Sequence, residues 1–458
     1  MEGLKVRIIN SIFYARSFFM SVWPCYFVPM RQCYLAMITM LLYPLLAICQ
    51  TKKEDIYSEF VLYPKRIALQ KDLHDRIIGI NFSLPLDSNS EYKFETTCLS
   101  ISQFLLTGPP VEQGFEKLFA GYDSLHPETK RAFLEAVYAV YPEKFVSNIK
   151  DILARETDPK LFSLCAVYLY RNNGSSNNSS FLKTKMTHRF PGHDTIPVLV
   201  ELDKWLSFHH SWSLGHTPDI VQLFRNQRKL HAKVIYSFQR WNRDFAGLAL
   251  LQMEDGRFAR LPNGHPMIFE QLARSGSAIP YFLTNGNTPQ GIYSIQGIAV
   301  TNNALIGPTP NIQLIMPFES SWQNFFPDHH HFPDDSLELY LQLMPASWRN
   351  YRPMMEVWDA GKIGRTEIIA HGTTIDPEYF KEKPFYPLTP TQGCLCAKEL
   401  WNPSTGHLLT SEQFNLVSAY ESAPDAKGYL FVINVDDQQR PLTRPEVEKW
   451  VNEYEKRH

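Results

Sequence analysis

The apolar residues of this chain change their period part-way along, and that change constrains the fold more than any other feature. Up to about residue 172 they recur at helical spacing: Phe133, Val137, Tyr141, then Phe145, Ile149, Ile152, Leu153, then Leu161, Leu164, Cys165, Tyr168. Three of these segments open on a proline, at Pro127, Pro142 and Pro159, where a helix has no need of the missing N–H. Short connections between them imply antiparallel helices stacked in an array. The tract Asn172-Asn173-Gly174-Ser175-Ser176-Asn177-Asn178-Ser179-Ser180 has no apolar anchor and reads as a linker. Beyond it the pattern is that of strands, at 234–238, 248–253, 291–295, 312–316, 366–370 and 429–435, with Glu254-Asp255-Gly256 as a turn. A charged helix over 445–456 closes the chain.

The expected architecture is therefore multidomain: an α-helical N-terminal domain over 51–172, linker and connecting helices over 173–230, a β-rich, mixed α+β domain over 231–436, and the charged helix within 437–458. Hydrophobic residues make up 44% of the chain and aromatics 13%, enough apolar surface for large cores and too much for a disordered chain. A formal charge of −2 provides no field for a polyanion, which argues against nucleic acid as a partner.

The first fifty residues are a different material. From Ile8 to Gln50 there is no acidic residue, and Arg16 and Arg31 divide two apolar stretches. The second, Cys33 to Cys49, runs 17 residues without a charge but holds Pro44, short for a permanent membrane span. Met30-Arg31-Gln32 followed by the apolar run to Leu46 and the small-residue end Ala47-Ile48-Cys49 suits a secretory signal, with Met30 as the true start and residues 1–29 as an over-long reading. Leu46-Ala47-Ile48-Cys49 also resembles a lipoprotein box with Cys49 as the lipidated residue. Cleavage after Cys49, lipidation at Cys49 and retention as an anchor all export the rest, so the expected location is the periplasm or cell envelope, with membrane contact only through this segment.

Export leaves Cys98, Cys165, Cys394 and Cys396 in the mature chain, and four in roughly 400 residues is not a disulfide framework. Cys98 and Cys165 lie in apolar surroundings, whereas Cys394 and Cys396 lie in a glycine-containing turn. Around that turn four pieces fit together: Asn287-Thr288-Pro289-Gln290-Gly291-Ile292-Tyr293, a turn running into a strand; Ile368-Ile369-Ala370-His371-Gly372-Thr373, a strand carrying a histidine to its end; Thr391-Gln392-Gly393-Cys394-Leu395; and the terminal strand Leu430-Phe431-Val432-Ile433. A cysteine attacks as thiolate, and a thiol with an ordinary pKa near 8.5 needs a partner to reach that form at neutral pH. His371 can accept that proton and return one to a leaving amine. Gly393 permits a tight backbone in which the N–H groups of Cys394 and a neighbour stabilise an oxyanion, each such donor being worth about 3 kcal/mol. Gly372 leaves space beside the histidine for substrate, and Thr391 can bond the turn or a substrate carbonyl.

Together the four pieces resemble the L,D-transpeptidase (YkuD-type) catalytic domain family, over roughly residues 231–436. That family carries a Thr-Pro-x-Gly turn, a His-Gly pair, and a Ser/Thr-x-Gly-Cys-hydrophobic segment. The resemblance implies a β-rich catalytic fold and an exported cysteine acyltransferase acting on peptidoglycan stem peptides. Cys394 acylates at the third, diamino-acid residue and releases the terminal D-alanine; an amine from a second stem or a protein resolves the thioester, while water makes the enzyme a carboxypeptidase. His371 is the general base. Gly393, Leu395, Thr391, Gly372, Thr373 and Gln392 supply oxyanion and substrate support, and neither metal nor organic cofactor is needed. The chain departs from the family in three ways: His371 and Thr391 are 20 positions apart, longer than usual, Gln392 stands where histidine is common, and Cys396 stands where asparagine or arginine is usual.

Two other readings belong to different classes. One keeps the domain as a catalytically inactive peptidoglycan-binding scaffold. The other is a zinc hydrolase built on Asp328-His329-His330-His331 and Asp334-Asp335, although adjacent histidines do not converge readily on one ion and the flanking phenylalanines and prolines suit a surface loop.

Overall fold

A computed structural model describes residues 52–172, 176–214, 216–326, 336–423 and 427–456. The targeting segment with Cys49 and the histidine cluster at 328–335 lie outside the described residues. Among those described, no helix is long and apolar enough to cross a membrane.

The protein is mixed α/β, with helices first and a closed barrel after them. Helices Glu91–Phe104, Pro109–Gly121, Pro127–Val140, Val146–Arg155 and Pro159–Asn172 bury the stripes that the helical spacing predicts, among them Phe133, Val137, Ile149, Ile152, Leu161 and Tyr168. Two details differ from expectation. The helix expected to open at Pro142 begins at Val146 instead. The Tyr168 hydroxyl donates to the Tyr141 carbonyl (2.7 Å) and accepts from the Phe145 amide (3.2 Å), taking up the groups that an earlier turn would have paired. The expected polar linker is helical from Ser176, as part of Ser176–Arg189. Leu182 and Met186, one turn apart and fully buried beyond the polar tract, hold that helix against the array.

Among the described residues ten strands follow: β1 Lys233–Arg240, β2 Gly247–Gln252, β3 Ile268–Leu272, β4 Gly291–Ala299, β5 Asn311–Ile315, β6 Ile369–His371, β7 Leu395–Ala397, β8 Glu399–Trp401, β9 Leu408–Ser411 and β10 Gly428–Asp436. Eight of them close a barrel in the order β1-β10-β4-β5-β6-β7-β3-β2, and β8 and β9 form a separate pair. Two barrel pairs, β1 with β10 and β6 with β7, are parallel; the others are antiparallel. The strand expected over 366–370 is shorter because Glu367 sits at φ 63°, a left-handed conformation that does not continue a ladder. The closing helix, Arg444–Glu455, is started by a capping box between Thr443 and Glu446, and its Tyr454 ring meets Phe224 and Phe258 edge-on.

Helices and barrel share buried surface. The apolar cluster built by the helices also takes in Ile279, Tyr281, Phe282 and Leu283 from the loop after β3, and Ile375, Phe380, Phe385 and Leu388 from the loop between β6 and β7. Polar bonds reinforce the contact: Asn285 Nδ2 donates to Glu135 (3.0 Å), and Gln103 Nε2 donates to the Pro390 carbonyl (3.2 Å). This explains the long spacing from His371 to Thr391: the intervening chain reaches into the helical core before returning to the barrel. Phe380, fully buried, is the anchor most exposed to test. Phe380→Ala should lower unfolding stability by about 3–5 kcal/mol in chemical denaturation; a change below about 1 kcal/mol would show that the loop is not held this way.

Candidate functional site

The site is built where β6 and β7 run side by side. Ala370 pairs with Leu395 and His371 with Cys396. Ala370 and Leu395 both belong to the barrel core. Alternation along the strands therefore turns Ile369, His371 and Cys396 to the other face. One residue back in register, Cys394 comes beside Ile369, whose amide donates to Sγ at 3.5 Å. Sγ in turn faces the Glu367 carbonyl at 3.6 Å. Sulfur and imidazole are thus on neighbouring strands, two residues out of step. Strand spacing and rise put their Cα atoms a diagonal of roughly 8 Å apart.

Two threonines hold the cysteine turn. Thr288 Oγ1 donates to the Gly393 carbonyl (2.9 Å), and Thr391 Oγ1 donates to the Cys394 carbonyl (2.8 Å) while accepting from the Gly393 amide (3.0 Å). Gly393 has φ 113°, and a Cβ there would lie 2.4 Å from Arg365 Nη2 and 2.6 Å from the Gly286 carbonyl, so only glycine fits. The Gly393 N–H is thereby committed to Thr391. Among the described residues the Cys394 N–H enters no hydrogen bond outside the strand ladders. Leu395 offers only its backbone, since its side chain is barrel core, and Gln392 is exposed.

Around the histidine the arrangement is tight. Nδ1 of His371 bonds the Gly372 carbonyl, which can only accept, so Nδ1 carries the hydrogen and Nε2 keeps its lone pair in the neutral ring. Gly372 does not open space for substrate as expected: a Cβ there would meet the Glu399 carboxylate at 2.1–2.3 Å. That carboxylate accepts from the Thr373 amide (2.8 Å) and the Ser411 hydroxyl (2.6 Å), and Trp401 Nε1 donates to the Thr373 carbonyl (2.8 Å). Thr373 spends its own hydroxyl on the Leu305 carbonyl (3.2 Å). Gly372 and Thr373 therefore frame His371 and do not touch the sulfur.

Burial governs the charges. It pushes the Cys394 thiol up to about 11, against the pull of the Ile369 amide and Arg365 and with a further push from Glu367 and Glu319. It lowers His371 to about 4, against the Gly372 carbonyl, and raises Cys396 to about 12. At neutral pH the resting pair is thiol and neutral imidazole. Among the described residues no hydrogen bond joins them.

Comparison with protein-family models, with curated proteins and with solved structures returns no match to this chain.

The remaining expectations fall out as follows. Cys98, Cys165, Cys394 and Cys396 are all free thiols, and the Cys396 sulfur lies against the Thr389 hydroxyl at 3.5 Å. Trp348, Trp358 and Trp401 are buried. Among the described residues no group of three or more histidines, cysteines or carboxylates could hold a metal ion. Sequence reasoning missed two groups that the fold brings in, Glu399 and Arg365. Both are charged residues delivered from outside the motifs, and neither has a local signature.

The pH behaviour of Glu399 follows from its surroundings. Burial raises it to about 7 from the ordinary 4.5, against the bonds from the Ser411 hydroxyl and the Thr373 amide. The folded state therefore holds a proton that the unfolded chain releases, and the resulting stability is full below pH 4.5 and is lost as pH rises through 7. Glu399→Gln should remove that slope from stability measured between pH 4.5 and 7; an unchanged slope would mean that other groups produce it. Likewise, iodoacetamide labelling of Cys394 should climb through pH 8–10 without levelling off; a plateau near pH 6 would show an activated resting thiolate.

Proposed function

We propose that the chain is an exported cysteine acyltransferase of the L,D-transpeptidase type, acting on peptidoglycan stem peptides through a Cys394 thioester. The observation that carries this reading is the parallel pairing of β6 with β7. It brings the strand that ends at His371 beside the strand that begins one residue after Cys394, next to a glycine turn held by Thr288 and Thr391, and this neighbourhood supports the reading.

In the proposed reaction the donor carbonyl lies over the Cys394 N–H, with its oxygen stabilised there as charge develops. Nε2 of His371 takes the thiol proton as sulfur attacks the carbonyl carbon, and gives it to the departing D-alanine nitrogen as the C–N bond breaks. An acceptor amine then attacks the thioester, losing its proton to the same Nε2, and the sulfur leaves as thiol. Water in place of the amine gives carboxypeptidase products. Because His371 near 4 is a weak base and Cys394 near 11 a weak acid, the transfer must be concerted with attack, not completed beforehand.

The inactive-scaffold reading has one observation in its favour: the unactivated resting thiol, whose bonds go to the Ile369 amide and the Glu367 carbonyl and not to His371. Incubation of the purified protein with tetrapeptide stems, read by mass, separates the two. The enzyme reading expects a covalent adduct at Cys394 and release of D-alanine, both abolished in Cys394→Ala. His371→Ala should slow the reaction by roughly 10²–10⁴-fold. Turnover that survives Cys394→Ala would overturn the reading.

A further inference from the structure

Arg365 is buried, at 6% exposure. Its guanidinium donates only to backbone carbonyls: Nη1 to those of Tyr281 and Asn287 (2.9 Å for the latter), and Nη2 to that of Gly286 (3.0 Å). Among the described residues no carboxylate lies within ion-pair distance of it. A buried cation satisfied by dipoles alone is costly, and such a charge calls for an anion nearby. The closest candidate is in the cysteine turn, since Arg365 Nη2 lies 2.4 Å from where a Gly393 Cβ would stand, one residue from Cys394.

We propose that Arg365 is the cation that stabilises the anionic sulfur of Cys394, a positioning residue acting on the nucleophile by charge and not by contact with substrate. When the Sγ–H bond breaks, sulfur keeps the electron pair and the proton goes to His371 Nε2 in acyl transfer, or to solvent in the free protein. Among the described groups that act on the sulfur, the guanidinium favours its charged form. Glu367 and Glu319 oppose it, and Cys396 is neutral at working pH. Glu319 is itself held away by the amides of Met316 (2.9 Å) and Glu367 (2.7 Å). The assignment gives Gly393 a second reason to be glycine: any side chain there would push the guanidinium off the turn. This inference rests on the reading of Cys394 as a nucleophile, but its test uses no cell-wall substrate, so the two can fail separately.

The test is the pH profile of Cys394 alkylation by iodoacetamide, in which the S–C bond forms and iodide leaves, read by tandem mass. Arg365→Gln keeps donors for the carbonyls and removes the charge; it should move the midpoint up by about one unit and slow labelling roughly tenfold below it. Arg365→Lys keeps the charge and should label within about threefold of the unaltered protein. Equal slowing in both variants, or no change in folded Arg365→Gln, overturns the proposal. The unaltered protein provides a second reading that needs no variant. Negatively charged iodoacetate should gain on neutral iodoacetamide at Cys394 in the folded protein relative to the same cysteine in the denatured chain. A ratio that is equal or lower in the folded protein also overturns it.

Discussion

Two strands of three residues each, β6 and β7, are the constraint on which the site depends. Their parallel register sets Ala370 beside Leu395 in the apolar core and His371 beside Cys396 on the alternate face, with Cys394 next to Ile369. A slip of one residue would send the imidazole into the apolar core. So short a ladder does not hold itself together. Its neighbours supply the rest: Gln413 donates to the Ala370 carbonyl (2.9 Å), Glu399 accepts from the Thr373 amide, and Thr288 and Thr391 pin the turn before β7.

The helices take part in this support. The 23-residue step from His371 to Cys394 would be a costly free loop if nothing ordered it. Instead Ile375, Phe380, Phe385 and Leu388 are buried among the helices, and Gln103 grips Pro390 next to Thr391. The loop before the Thr288-Pro289 turn is bound to the same helical core through Tyr281 and Phe282, and Asn285 to Glu135. Both segments that shape the cysteine turn therefore rest on the helices. That gives the first half of the chain a physical part in the proposed chemistry without any catalytic group of its own.

Electrostatically the site is dry. Burial holds the thiol and the imidazole in their neutral forms and raises the Glu399 carboxyl well above its ordinary range. The positive charge beside the cysteine turn is the guanidinium of Arg365, surrounded by carbonyl dipoles. In such surroundings an ion pair formed during reaction gains far more than it would in water, and a preformed cation costs nothing further to orient.

Local pattern carried much of the fold. Period-3.6 spacing marked the helices from Pro127 to Asn172, and β-rich runs marked β1, β2, β4, β5 and β10, because burial of one face writes itself into consecutive residues. The cysteine, the histidine and the two threonines could be picked out for the same reason: each sits in a short motif with a glycine or proline that only a particular backbone requires. What the sequence could not declare was partnership at a distance. The helix at Ser176 hid behind a polar tract, the space beside Gly372 was filled by a carboxylate 27 positions on, and Arg365 met the cysteine turn across 29 positions. Those placements follow from barrel closure and from the loops sinking into the helical core, and a contact made by closure leaves no period and no spacing in the chain that makes it.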